Sequence, residues 1–275
     1  MGVYSIDGIS LTSLCEKYGT PLYVYDTSKM KKQYNRLTKA FSSVDVKINY
    51  ACKALTNVNI LRLFQKLGSG LDAVSIQEVE LGLKAGFNPQ DIMYTPNSIS
   101  LNEIEQAIDK GVKINIDNIS ILEQFGHKFE DKIPLCIRVN PHIMAGGNSK
   151  ISTGHIDSKF GISIYQMPHV ERVIKANNIK VEGLHMHTGS DILDVDVFLR
   201  AAEILLETAM KFPDLKYLDF GSGFKVAYKA DDISTNVEEL GKNLSSRFTS
   251  FCKEYGRDLT LVFEPGKFLV SEAGF

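Results

Sequence analysis

The chain has 275 residues, 44% of them hydrophobic and 23% charged, with a net charge of −2. This is ordinary globular composition with room for one large barrel or two average domains, and a charge so near zero gives no electrostatic case for nucleic acid or an anionic membrane as a partner. No apolar run approaches the roughly 18 residues of a membrane span, the start MGVYSIDGIS lacks the basic and apolar regions of a secretory signal, and Cys15, Cys52, Cys136 and Cys252 are sparse and unpatterned, which suits a reducing cytosol.

Residues 1–25 read as a segment outside the main fold, and GTPLYVYD (19–26) reads as an extra strand there. Strand-like runs follow at VKINYAC (46–52), GLDAV (70–74), DIMYT (91–95), KINI (113–116), PLCIRV (134–139), VEGLHMH (181–187), KYLDF (216–220) and TLVFE (260–264). Helix-period segments alternate with them, such as VNILRLFQKLG, LNEIEQAIDKG and the 194–211 run with FLRAAEILLETAMK. Three helix starts carry the capping-box spacing: Ser75 with Glu78, Ser100 with Glu103, and Ser120 with Glu123. Eight such units predict an α/β fold, a (β/α)8 TIM-type barrel over residues 26–275, rather than an open doubly wound sheet. The 140–162 stretch is expected to be a long loop on the C-terminal face. No helix is visible after the last strand, so the sequence reads as cut short.

In such a barrel the chemistry collects where strands run out at the C-terminal face. Those ends deliver Lys53, Asp72, Asn97, Asp117, Arg138, His185 with His187, the Gly221-Ser222-Gly223 turn after Asp219, and Glu264. Several have a plain structural alternative. Asp72 and Asp117 serve equally as helix caps, and Arg138 as the partner of a neighbouring carboxylate. Lys53 is the sharpest, because lysine is rarely buried without a partner or a job. Burial would free its amine to attack a carbonyl; the alternative is a lysine that keeps its head in water. The glycines at 221 and 223 let backbone amides approach a phosphate, although glycine also makes ordinary turns. Glu264-Pro265-Gly266-Lys267 closes the last strand, with Glu264 in the barrel mouth and the following amides turned toward the same anion. His185 and His187 share one face of a strand, as a metal pair would. No histidine follows them, so no metal is expected; His187 is read as a ring packed flat on a ligand and His185 as a structural residue. Cys52 is expected to be a small buried hydrophobe.

Six motifs in order, YACKA (50–54), LDAVSIQEVELGLKAGF (71–87), ISTGHIDSKFGI (151–162), GLHMHTGSDI (183–192), LDFGSGF (218–224) and EPGKFLVSEAG (264–274), resemble the fold-type III pyridoxal-phosphate decarboxylases. The resemblance runs from TPLYVYD onward, and it implies an alanine racemase-like barrel, pyridoxal 5'-phosphate as cofactor and a small amino-acid substrate in a cytoplasmic enzyme. Within it, Lys53 corresponds to the lysine that holds the cofactor covalently, His187 to the ring stacked on the pyridine and Glu264 to the carboxylate at the pyridine nitrogen; these three are the implied catalytic residues. Asp72 takes the acidic position near the lysine. Ser190, Gly221, Ser222, Gly223, Pro265 and Gly266 fall around the phosphate. Lys267 stands where the family usually has arginine, so a compact charge replaces a rigid fork in binding phosphate or a substrate carboxylate. The branch that converts meso-2,6-diaminopimelate to L-lysine and CO2 matches best, on ISTG…SKFGI and HTGS. The ornithine, arginine and carboxynorspermidine branches stay open, as does a non-catalytic cofactor-binding fragment. The family also carries a β-rich C-terminal domain that completes the neighbouring subunit's site in an obligate dimer. Its absence from this sequence implies a barrel fragment of a homodimeric protein.

Overall fold

The structure, a computed structural model, describes residues 4–143, 158–229 and 231–275. Eight parallel strands close on themselves: β1 Val46–Ala51, β2 Gly70–Ala73, β3 Ile92–Tyr94, β4 Lys113–Ile116, β5 Leu135–Asn140, β6 Val181–Met186, β7 Tyr217–Asp219 and β8 Thr260–Phe263. β8 pairs back onto β1, with Leu261 opposite Val46 and Phe263 opposite Ile48. A two-residue strand, Ile162–Ser163, adds to the edge of β5 at Val139 and Asn140. Each of the eight expected barrel strands is present within a residue or two of its expected ends. Helices α1 Val58–Lys66, α2 Ile76–Ala85, α3 Leu101–Asp109, α4 Ile119–Phe129, α5 Met167–Asn177, α6 Val195–Ala209 and α7 Val237–Tyr255 form the outer layer. Two further helices, Leu11–Tyr18 and Thr27–Ala40, precede β1.

Three expectations need correction. GTPLYVYD is not a strand; it is an extended stretch in which Val24 and Phe275 exchange backbone hydrogen bonds of 3.0 and 2.9 Å and Tyr25 bridges Gly274. Its β-branched and aromatic residues supply the propensity, but a strand needs a neighbour, and residues 273–275 offer too short a one. A helix does follow β8, although it has a single turn, Lys267–Val270 (α8). Of the three capping boxes only Ser75 acts as one: its hydroxyl accepts from the Glu78 amide at 3.2 Å, while Glu78 reaches back to the Val74 amide at 2.8 Å. Ser100 caps through its backbone carbonyl alone, with the Glu103 amide at 3.2 Å. At α4 Asn118 takes the cap, accepting from the Ile121 amide at 2.9 Å, and Ser120 lies inside the helix. Of the 140–162 loop, residues 144–157, including ISTG, lie outside the described residues.

The apolar core is a shell rather than a centre. Outward-facing strand residues such as Leu71, Ile92, Leu184, Leu218 and Leu261 are fully buried with α-helical partners such as Val79, Phe125, Leu206 and Phe248. Inside the ring most residues are polar: Asn49, Asp72, Thr95, Asn115, Arg138, His185, Asp219 and Glu264 are all buried. A small separate cluster of Met93, Cys136, Tyr217 and Val262 crosses the interior. Gly183 makes this possible, because a Cβ there would collide with the Tyr217 ring. Burial of apolar area in the outer shell drives folding, so the interior is left for groups that cost energy to bury.

Candidate active site

A cavity of about 590 Å3 lies at the C-terminal ends of the strands, the size of a small-ligand site. Of the expected site residues, Lys53, Asp72, His187, Ser190, Ser222, Gly223, Glu264, Gly266 and Lys267 line it. Gly221 and Pro265 stand just behind, as backbone braces. The Gly221 carbonyl accepts from the Glu264 amide at 2.6 Å, and the Pro265 carbonyl accepts from the Ala51 amide at 3.2 Å. β7, β8 and β1 are thereby tied together at the level where Lys53 begins.

Lys53 sits in a 3₁₀ turn, Cys52–Ala54, immediately after β1. The turn is pinned from behind by the Tyr50 hydroxyl, which donates to the Leu55 carbonyl at 3.1 Å. The expectation of a buried lysine fails: Lys53 is exposed, because the cavity it faces is open. Its neighbour Cys52 is fully buried, and burial pushes its thiol up to about 12, as suits an inert packing residue.

Glu264 forms the cavity floor. Burial alone would raise its pKa, but His185, with Lys53 and Arg138 behind it, outweighs that cost and holds the carboxyl at about 2. His185 is itself bridged. The Asn115 amide nitrogen lies 2.7 Å from His185 Nδ1, which makes Nδ1 the acceptor and leaves the proton on Nε2, 3.2 Å from Glu264 Oε2. Burial lowers the pKa of His185 and Glu264 raises it, and the two groups face each other as a close polar pair without a well-formed hydrogen bond. Two other carboxyls behave oppositely. Burial, then the charge of Glu264, pushes Asp72 up to about 7 and Asp219 well above the carboxylate range. Of the three buried carboxyls Glu264 is therefore the one held firmly ionised, while Asp72 titrates near neutral pH.

The Gly221-Ser222-Gly223 turn needs its glycines. Gly221 has φ +63° and Gly223 φ +112°, conformations that side chains disfavour. A Cβ on Gly221 would come 2.5 Å from the Met186 carbonyl oxygen, and one on Gly223 would strike the Gly189 carbonyl. The Ser222 amide donates to His187 Nδ1 at 3.3 Å. Burial, then Arg138 and Lys53, keep His187 well below the ordinary imidazole pKa, so its ring is neutral and this acceptor role is available. Lys267 reaches the cavity but pairs with Asp191 at 2.6 Å, so its charge is shared before any ligand arrives.

Four residues were missed or misjudged in the sequence. His185 is no bystander but the support of Glu264. Arg138 is buried in the cavity wall with its guanidinium 4.9 Å from the Phe160 ring centre, and it makes no ion pair among the described residues. An arginine in mid-strand was itself the signal. Asp219 was passed over as the residue before the turn, and Asn115 hides in the otherwise apolar run KINI. The pair His185 and His187 was the sequence's metal candidate. Among the described residues, the group of three that could hold a cation is instead His185, Asp219 and Glu264, whose ligand atoms lie within 4.8 Å of one another.

The donor set fits pyridoxal phosphate. It combines an accessible primary amine, an ionised carboxylate on the floor, a neutral imidazole in the wall, and a glycine turn where the backbone is bare.

The comparisons with known proteins agree. The profile described as "Pyridoxal-dependent decarboxylase, pyridoxal binding domain" matches residues 27–271. Diaminopimelate decarboxylase of Methanothermobacter thermautotrophicus is 34% identical over 98% of this chain, and that of Aquifex aeolicus 32% identical over 99%. The chain spans 65% of the length of each of these relatives. Diaminopimelate decarboxylase from Helicobacter pylori, solved in complex with L-lysine, superposes with a TM-score of 0.85 at 30% identity, covering 96% of this chain and 67% of that one. The chain belongs to the pyridoxal-dependent decarboxylase family, of which it carries the pyridoxal-binding barrel.

Proposed function

We propose that this barrel, beginning near residue 26, is the cofactor-binding part of a decarboxylase that converts meso-2,6-diaminopimelate to L-lysine and CO2 in the cytoplasm. The observation that carries the reading is the floor of the cavity. An exposed lysine amine and a carboxylate held at about 2 despite full burial face the same space. Among the described residues no helix is long and apolar enough to cross a membrane.

Bound pyridoxal phosphate supplies the electron sink for the charge left on the α-carbon when CO2 departs. The residues of this chain would hold and tune it. Lys53 would anchor it covalently through the ε-amine, and Glu264 would keep a proton on the pyridine nitrogen. His187 would pack against the ring. Ser190, the Gly221–Gly223 turn and the backbone from Pro265 to Gly266 would take the phosphate. Asp72, poised near neutral pH beside Lys53, can give or accept a proton when that amine is released. Lys267 and Arg138 are the cations available to a substrate carboxylate. The similarity to diaminopimelate decarboxylases favours that substrate over ornithine, arginine or carboxynorspermidine. The full-length protein is expected to act as a homodimer.

The test begins with the cofactor. Added pyridoxal phosphate should give the wild-type chain the visible absorbance of a lysine-bound aldehyde, and Lys53→Ala should lack it. Absorbance retained in the variant removes Lys53 from its role. The full-length protein should release CO2 from meso-diaminopimelate; release from another amino acid instead would reassign the substrate.

A further inference from the structure

A second cavity, of about 540 Å3, opens at the opposite, N-terminal end of the barrel. Met93, Tyr217 and Val262 form its inner wall, and none of them lines the upper cavity. Barrel interiors of this class are normally filled by layers of bulky side chains. Here the lowest layer contains Gly70, Gly183 and long cationic residues, which leaves room.

Three lysines converge on the space: Lys47 of β1, Lys113 of β4 and Lys216 just before β7. Two are matched, Lys47 with Asp91 at 2.5 Å and Lys216 with Glu182 at 2.9 Å. Lys113 makes no ion pair among the described residues. It is half-buried with its ammonium 5.3 Å from the Tyr217 ring centre. Burial, then the nearby Lys47, hold it below the ordinary lysine pKa; Glu182 and Asp91, which line the same cavity, pull the other way, and an anion alongside would further favour the charged form. Deeper in, Asn49 is 4% exposed and its Oδ1, packed against Gly70, has no hydrogen-bond partner. A buried acceptor left in that state is costly. The cavity therefore sets three lysines against the two carboxylates of Asp91 and Glu182, with Lys113 in no ion pair among the described residues, and offers one unused acceptor. A ligand carrying one negative charge and one hydrogen-bond donor would satisfy both.

We propose that the N-terminal mouth of the barrel is a second ligand site, for a small hydroxy- or amino-carboxylate. The carboxylate rests on Lys113 in the field of Lys47 and Lys216, and the hydroxyl or ammonium donates to Asn49 Oδ1. The site lies apart from the decarboxylation machinery and does not depend on that reading.

L-lactate and propionate are a matched pair of probes, differing in the hydroxyl. They would be titrated by NMR into the cofactor-loaded protein. Lactate should bind saturably at one site, and propionate several-fold more weakly. Lys113→Met should weaken lactate roughly tenfold or more, the worth of a charge-assisted contact. Lys216→Met, on the exposed rim, removes a cation and leaves the Glu182 carboxylate facing the anion, so it should weaken it a few-fold. Lys267→Met, in the upper cavity, should leave it unchanged. No saturable binding, propionate as tight as lactate, wild-type affinity in Lys216→Met, or a loss caused by Lys267→Met would each overturn the proposal. If Lys113→Met fails to fold, the Lys216→Met titration decides.

Discussion

Glu264→Gln isolates the charge on the cavity floor from its shape. The amide oxygen can still face His185 Nε2, now 3.2 Å from Oε2, and the volume is conserved, so folding should be little affected. What disappears is the negative charge. Its side chain is only 7% exposed, so solvent screens it weakly. A fixed buried charge aimed at the reacting system is worth about 10²–10³ in turnover, or about 3–4 kcal/mol on the barrier. On the proposed reading, glutamine could not keep a proton on a pyridine nitrogen, so the electron sink would weaken, whereas Lys53 and the glycine turn, which would do the holding, are untouched. Decarboxylation by the full-length variant should therefore fall 10²–10³-fold while cofactor absorbance stays near the wild-type level. A fall in occupancy equal to the fall in turnover would reduce Glu264 to a binding residue. Turnover within about threefold of wild type would refute the electrostatic argument itself.

Two other predictions concern stability. Asp72 has a folded pKa raised to about 7, against about 4 in an unfolded chain, so the native state binds the extra proton in that interval. Its contribution to stability is full below about pH 4 and is lost as pH rises through about 7; Asp72→Asn, always neutral, should show a smaller drop in Tm between pH 5 and pH 8 than wild type, and parallel melting curves would contradict the shift. Gly223→Ala places a Cβ against the Gly189 carbonyl at φ +112°, so urea unfolding should show a loss of about 1–3 kcal/mol, and unchanged stability would mean that the turn can relax.

The strands were legible because each is a short apolar run set off by an amphipathic helix, and parallel strands covered on one side by helices leave that signature. Their polar ends were legible for the same reason: Lys53, Asp72 and Glu264 each interrupt or terminate a run that has no other cause to stop there. Lys53 was nonetheless misjudged in exposure. Sequence can locate a residue at a strand end, but whether the space above it is filled depends on loops contributed by the other strands. The cap of α4 shows the same limit locally, since Asn118 and Ser120 compete for one helix end and only backbone geometry decides between them.

The network beneath Glu264 was not legible at all, and the reason is topological. Asn115, His185 and Glu264 come from β4, β6 and β8, separated by 70 and 79 residues along the chain, and alternate strands contribute to one layer only once the barrel has closed. Periodicity says that each side chain points inward; it says nothing about which one faces it across the axis. Closure also explains why the charges are uneven. Three carboxyls brought together out of water cannot all ionise. His185, held by Asn115, breaks the tie in favour of Glu264, and the charge of Glu264 in turn raises the pKa of Asp72 and Asp219. The outer apolar shell bears the cost of this arrangement, so a substitution in the interior network should alter chemistry and pH response before it alters the fold.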